Sequence, residues 1–167
     1  IDGLLHNENF ESSMHSTDTH GYSEIVFAVS FLLRTSFAPR IKDISDVALI
    51  SFEKIAGDLE AKGYPIKPSQ YAKQKAIKSN WDCFLRLVAT IKLREHKAST
   101  VLKRLSSYAK QHFLLNGIKA FGRIIKSIFI LNYIDDVELR QTIEKQLNKG
   151  ELANRFSSAI TFVNNQE

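Results

Sequence analysis

A mainly α fold with a small residual β component is what this sequence predicts, and three observations carry the expectation. Between residues 80 and 150 the apolar side chains recur at the i, i+3, i+4 spacing of a helix face in one segment after another. Only two short stretches near the N-terminus have the look of strands. The composition, 44% hydrophobic and 25% charged over 167 residues, is that of a globular domain large enough to bury a core.

In chain order, "IDGLLHNENFE" reads as the end of an amphipathic helix running into a loop. It begins without a start methionine, so a trimmed chain or one piece of a longer protein is expected. "SSMHSTD" reads as a short extended segment ending at Asp18, with Thr19 to Tyr22 as a turn. Ser23 to Arg34 has the length and apolar density of a buried helix, with Ser23 as N-cap and Glu24 in its first turn. "SFAPRI", with Pro39, suits an edge strand or extended link.

Residues 42 to 70 are punctuated by Gly57, Gly63, Pro65 and Pro68, which predicts loops and at most one short helix. Asn80 can then cap a helix with Trp81, Phe84, Leu85, Val88 and Ile91 on its apolar face, and Trp81 reads as core. Ser99 can cap the next, which carries Val101, Leu102, Leu105 and Tyr108. A longer helix follows with Leu114, Ile118, Phe121, Ile125 and Ile128 on one stripe. "DDVE", Asp135 to Glu138, has the form of a capping box opening a further helix, which Gly150 should stop or kink. A last helix is expected from near Glu151.

Charge is unevenly spread. Of the net +5, the segment from Lys92 to Lys126 holds +8, leaving −3 for the remainder. Lys119, Arg123 and Lys126 share one helix face at spacings of four and three, away from the apolar stripe. Such a block suits a polyanion, or simply a solvated helix surface. The N-terminus carries Asp2 and no basic stretch, so no signal peptide is expected, and no apolar run approaches the length of a membrane span. The single cysteine, Cys83, excludes an internal disulfide and a cysteine-based zinc cluster, and it fits a reducing compartment such as the cytoplasm. Cys83 reads as a small, partly buried residue rather than a nucleophile, and His96 and His112 as surface residues.

"HSTDTHGYSE", residues 15 to 24, concentrates the most polar chemistry in the chain. Three readings of it stand side by side. It can be a strand-to-helix turn that satisfies backbone groups. It can be a metal site of His15, Asp18 and His20, although an extended backbone turns residues 15 and 18 to opposite faces. Or Asp18 alone can ligate a hard cation, together with carboxylates from elsewhere in the chain.

Longer motifs bear on that choice. "STDTHGYSEIVFAVSFLLRTSFAPRIKD" resembles the segment around the second catalytic aspartate of the Tn-three family of replicative transposases. In that family a Thr-Asp-Thr-x-Gly-aromatic motif leads into an apolar helix and a Phe-Ala-Pro-Arg-Ile sequence. "NWDCFLRLVATIKL" at 80 to 93, "KASTVLKRLSSYAKQ" at 97 to 111 and "GRIIKSIFILNYIDDVELRQTIEKQLNKGE" at 122 to 151 resemble it too, in the same order. Ile125 departs from the pattern, which has an acid near the arginine of this last motif.

The resemblance implies a partial RNase H-like, integrase-type α/β core of the Asp-Asp-Glu kind. Its second aspartate falls on Asp18 and its glutamate on Glu151, 133 residues apart. Residues of about 42 to 134 then correspond to a large helical insertion within a single partial catalytic domain, 1 to 167. The first catalytic aspartate has no counterpart, because Asp2 matches a later position, and the helices after the glutamate are missing. In such an enzyme the carboxylates hold Mg²⁺ or Mn²⁺ around the scissile phosphodiester for strand cleavage and transfer. The implied partner is DNA, transposon ends and target alike, in a bacterial, nucleoid-associated setting. The candidate phosphate contacts are Arg40, Lys103, Arg104, Lys119, Arg123, Lys126, Lys149 and Arg155, with an ion pair as the alternative for Arg40. With one aspartate absent, the chain alone is expected to be inactive. The competing readings are a non-catalytic helical DNA-binding module and a dimerisation module.

Overall fold

The computed structural model describes residues 14–17, 23–110 and 112–164, the last three of these for the backbone alone. The turn expected at Thr19 to Tyr22, and Asp18 itself, lie outside the described residues.

The apolar run forms α1, Glu24–Leu33, as expected. The Ser23 hydroxyl accepts from the Val26 amide at 3.4 Å, and Arg34 closes the other end in a left-handed conformation, φ 61°. Both flanks of α1 are extended and pair with each other in parallel through His15 and Phe37. The His15 amide donates to Ser36 O at 2.7 Å, and the Ala38 and Arg40 amides donate to His15 O and Thr17 O, both at 2.9 Å. Strand, helix and parallel strand thus make a small βαβ unit, with α1 as the crossover.

Residues 42 to 70 hold one short helix, α2 (Ala56–Ala61), and also a parallel pair that the sequence did not announce: β1 (Ile50–Ser51) beside β2 (Gln70–Tyr71). A two-residue strand leaves no alternation to detect. β1 is held from outside the pair, since the Ile50 amide donates to the buried Ser127 hydroxyl at 2.9 Å.

Five helices complete the chain: α3 (Gln74–Ser79), α4 (Trp81–Lys92), α5 (Ala98–Ser106), α6 (Phe113–Asp135) and α7 (Val137–Asn164). Asn80 lies between α3 and α4 but does not cap α4. Its amide nitrogen donates backwards to Ala76 O at 2.8 Å and across to Phe113 O at 3.3 Å. The unforeseen α3 ends at Asn80, and its carbonyls claim the side chain. Nor does Ser99 cap α5, whose N-cap is Lys97.

On α4, Phe84, Val88 and Ile91 are buried as expected, but Trp81 is 40% exposed and Leu85 49%. Trp81 packs edge-on against Phe121, centroids 5.7 Å apart, at the rim of the core. His112 is partly buried rather than a plain surface residue, and its ring stacks between Tyr108 and Phe113.

α6 is the central member. Its inward face keeps most of the expected stripe: Ile118 and Phe121 are buried, Leu114 and Ile125 pack partly buried against the core, and Ile128 is 51% exposed; Leu115, Gly122 and Ser127 are buried as well. Two residues with no apolar signature widen that face. Gly122 lies directly beneath the Glu24 carbonyl, where a Cβ would collide, and so admits the N-terminus of α1. Ser127 receives β1. Two cores meet along α6. The larger joins α1, α3, α4, α5 and α6; the smaller joins Ala38, Ile41, Tyr133 and Ile143, with Met14, Phe129 and Leu147 against them.

The capping box is displaced by one residue: Asp135 ends α6, and Asp136 Oδ1 accepts from the Leu139 amide at 2.9 Å. Arg140 donates back to Tyr133 O at 2.6 Å and Ile134 O at 2.7 Å, satisfying the last carbonyls of α6. Gly150 does not stop α7, which runs on to Asn164, and no separate helix begins at Glu151. A glycine weakens a helix interior by about 1 kcal/mol but ends it only when the backbone turns left-handed. Among the described residues, no helix is long and apolar enough to cross a membrane.

Candidate functional site

The smaller core ties the segment that precedes Asp18 in sequence to the helix that carries Glu151. Its extended segments run over α7 and are tied to both sides of it. The Ser16 hydroxyl donates to Gln146 Oε1 at 2.6 Å, and Arg40 Nη1 lies 3.7 Å from Glu144 Oε2. Arg40 thus has a carboxylate neighbour on α7, with both side chains accessible to solvent. The Thr17 hydroxyl oxygen is buried without a hydrogen-bond partner, and Asp18 is the next residue.

Glu151 is exposed on the same uninterrupted helix, five residues beyond Gln146, a rise of about 7.5 Å. Continuity through Gly150 decides which neighbours share its face. Glu144 and Arg155, seven before and four after, lie within about 20° to 40° of it around the helix, whereas Lys149 lies about 160° away. Arg155 therefore shares the face of Glu151, whereas Lys149 stands on the opposite face of the helix. Among the described residues, no three His, Cys, Asp or Glu side chains gather to hold a metal ion. His15 stays partly buried with its ring 6.2 Å from that of Phe37, and burial lowers its pKa below the ordinary histidine value.

The cations occupy other ground. Lys103 and Arg104 are exposed on α5. Lys119 and Arg123, on α6, line a cleft of about 460 Å³ with Tyr71, Lys73, Asn80 and Phe113 among its walls. Arg123 and Lys126 line a second cleft of about 230 Å³, which shares Ile50 with the first. Arg123 Nε is 3.7 Å from Glu24 Oε1, an open pair with both side chains accessible to solvent. Sequence reasoning found these cations through their shared helix face. It missed Tyr71, Asn80 and Phe113, which reach the cleft from three separate elements.

The structure thus presents two extended segments bridged in parallel around α1 and seated on the helix of Glu151, beside a helical body with a cationic face. Comparison with known proteins supplies the family. The family described as "Tn3 transposase DDE domain" matches over residues 1–167, and the chain belongs to that family. It is 41% identical over 166 residues to the transposase for transposon Tn1546 of Enterococcus faecium, covering 97% of this chain. It is 39% identical over 165 residues, 96% of the chain, to the transposase for transposon Tn2501 of Escherichia coli. Against the transposase for transposon Tn501 of Pseudomonas aeruginosa it is 36% identical over 166 residues, again 97% of the chain. The chain spans 16% of the length of each of these relatives.

Proposed function

We propose that these residues form the later part of an RNase H-like transposase catalytic domain, in which Asp18 and Glu151 supply two of the carboxylates for DNA strand cleavage and transfer. The observation that carries the reading is the docking of segment 14–17 on α7. The hydrogen bond from Ser16 to Gln146 joins the backbone leading into Asp18 to the helix of Glu151, about a turn and a half before the acid. The parallel βαβ unit around α1 supports the RNase H-like core, since such units build parallel α/β sheets. Residues 42 to 134 make the helical insertion.

Carboxylate oxygens suit a hard cation such as Mg²⁺ or Mn²⁺, and exposed Glu151 fits as one such ligand. The bound cation would supply charge neutralisation at the scissile phosphodiester. The protein's own part is to hold the acids at the end of a strand and on one helix face. Arg155, with Lys103, Arg104, Lys119, Arg123 and Lys126, offers positive charge to the DNA backbone. Two carboxylates alone bind Mg²⁺ weakly, so the 167-residue chain cleaves nothing by itself.

Manganese binding followed by electron paramagnetic resonance tests the pairing. One weak site should be present and be lost in both Asp18→Asn and Glu151→Gln. Unchanged binding in either variant refutes the shared site, and multiple-turnover nicking of end-containing DNA refutes the inactivity.

A second reading, pairing with another copy or protein, rests on Leu152, Phe156 and Ile160. At spacings of four they form an apolar stripe on α7, 70%, 68% and 46% exposed.

A further inference from the structure

We propose that the cleft lined by Phe113, Lys119 and Arg123 of α6 is a pocket for one unpaired nucleotide of a DNA strand. The inference rests on the DNA-acting reading above but concerns a different surface, remote in sequence from Glu151.

Four features of the cleft converge on that ligand. The first is an unfinished ring stack. Tyr108 and His112 have centroids 4.3 Å apart, His112 and Phe113 4.9 Å apart with planes at 23°, and Phe113 is 62% exposed where it lines the cleft. A base would extend the stack. Tyr71, 40% exposed, supplies a second ring on the cleft wall.

The second feature is an orphan acceptor. Asn80 is 2% exposed and its Oδ1 has no hydrogen-bond partner. The assignment of its amide is forced by chemistry, because both neighbours of the nitrogen, Ala76 O and Phe113 O, are carbonyls that can only accept. The oxygen is therefore left without a donor just beneath the cleft wall, where a side-chain adjustment on binding would let a base N–H or exocyclic amine, or one water, meet it.

The third is charge. Lys73, Lys119 and Arg123 line the same cleft, and Lys126 continues the strip into the adjoining one. From Lys119 to Lys126 the helix rises about 10 Å, longer than one phosphate group requires. That length selects a strand over a free mononucleotide. The fourth is size: about 460 Å³ lies within the range of small-ligand pockets and takes one nucleotide, not a duplex.

The test uses the 167-residue chain and three fluorescent DNA probes: a single-stranded twelve-mer, its duplex, and that duplex with one unpaired 2-aminopurine. We expect the single strand and the unpaired site to bind more tightly than the plain duplex, with quenching of the 2-aminopurine as it stacks. Phe113→Ala should weaken single-strand binding about tenfold and abolish the quenching, while leaving duplex affinity unchanged. Phe113→Trp should restore both. Lys119→Ala should weaken all three probes and lower the salt slope by about one. Duplex binding with no preference for an unpaired base, or a silent Phe113→Ala, overturns the pocket but not the DNA-acting reading. Competition by deoxynucleoside monophosphate as effective as by the twelve-mer would assign the cleft to free nucleotides instead and overturn the strand. Absence of binding to every probe overturns both readings together.

Discussion

The hydroxyl of Ser16 donates to the side-chain amide oxygen of Gln146 at 2.6 Å, joining residues 130 positions apart. This bond and the Arg40–Glu144 pair hold the N-terminal extended segments on α7. In a double-mutant cycle, Ser16→Ala and Gln146→Ala should each cost about 1 kcal/mol in urea unfolding, with a coupling energy of similar size. Additive effects would show that the bond does not anchor the segment.

Gly122 is the point where α1 approaches α6 most closely, so Gly122→Ala should disturb the larger core. A methyl group has nowhere to go without lifting the backbone at Glu24, and such overpacking costs about 1–3 kcal/mol. A measured stabilisation would mean that α1 can shift at little cost.

Gly150 is the opposite case. It lies inside α7, and nothing stands within 4 Å of where its Cβ would be. Gly150→Ala should stabilise by about 0.5–1 kcal/mol through helix propensity and a less disordered unfolded chain. A loss of stability would show a break in the helix at that residue.

Asp136 begins α7 by capping the Leu139 amide. Asp136→Ala should cost about 1 kcal/mol, whereas Asp136→Asn, which keeps the acceptor, should cost much less. Equal effects from the two variants would assign the loss to charge and not to the cap.

Acid should weaken the N-terminal docking through His15. Burial lowers its folded pKa, so the unfolded chain binds more protons once the pH falls below the ordinary histidine value of about 6.5. Stability is therefore retained above that pH and declines as the pH drops towards the folded value. His15→Gln should flatten this part of the pH–stability curve; an unchanged curve would show that His15 does not carry the linkage.

Much of the frame was legible because its signals were local. Ser23 before "EIVFAVSFLL" specifies both a cap and a buried helix, and Phe84, Val88 and Ile91 keep helical spacing. The misreadings fall where a distant partner decides. Asn80 resembles an N-cap until the carbonyls of Ala76 and Phe113 compete for it. The inward face of α6 follows its apolar stripe except at Ile128, but it also takes in Gly122 and Ser127, which no hydrophobic count can see. Gly150 reads as a stop in sequence, yet nothing around it makes the backbone turn. For the site, the motif resemblance gave Asp18 and Glu151, and no pattern marked Ser16 and Gln146, the pair that joins their segments. The cleft was half legible, because its cations share one helix face and its rings do not.

Leu147 is the last partly buried side chain along α7; every described side chain after it is exposed. From there the helix relies on its own backbone ladder, and an isolated helical stretch of that length is marginal in water. Glu151 sits one turn past this final foothold. On the proposed reading the cation ligand is thus mounted on a cantilever, which a surface settling over the exposed Leu152 and Phe156 would steady.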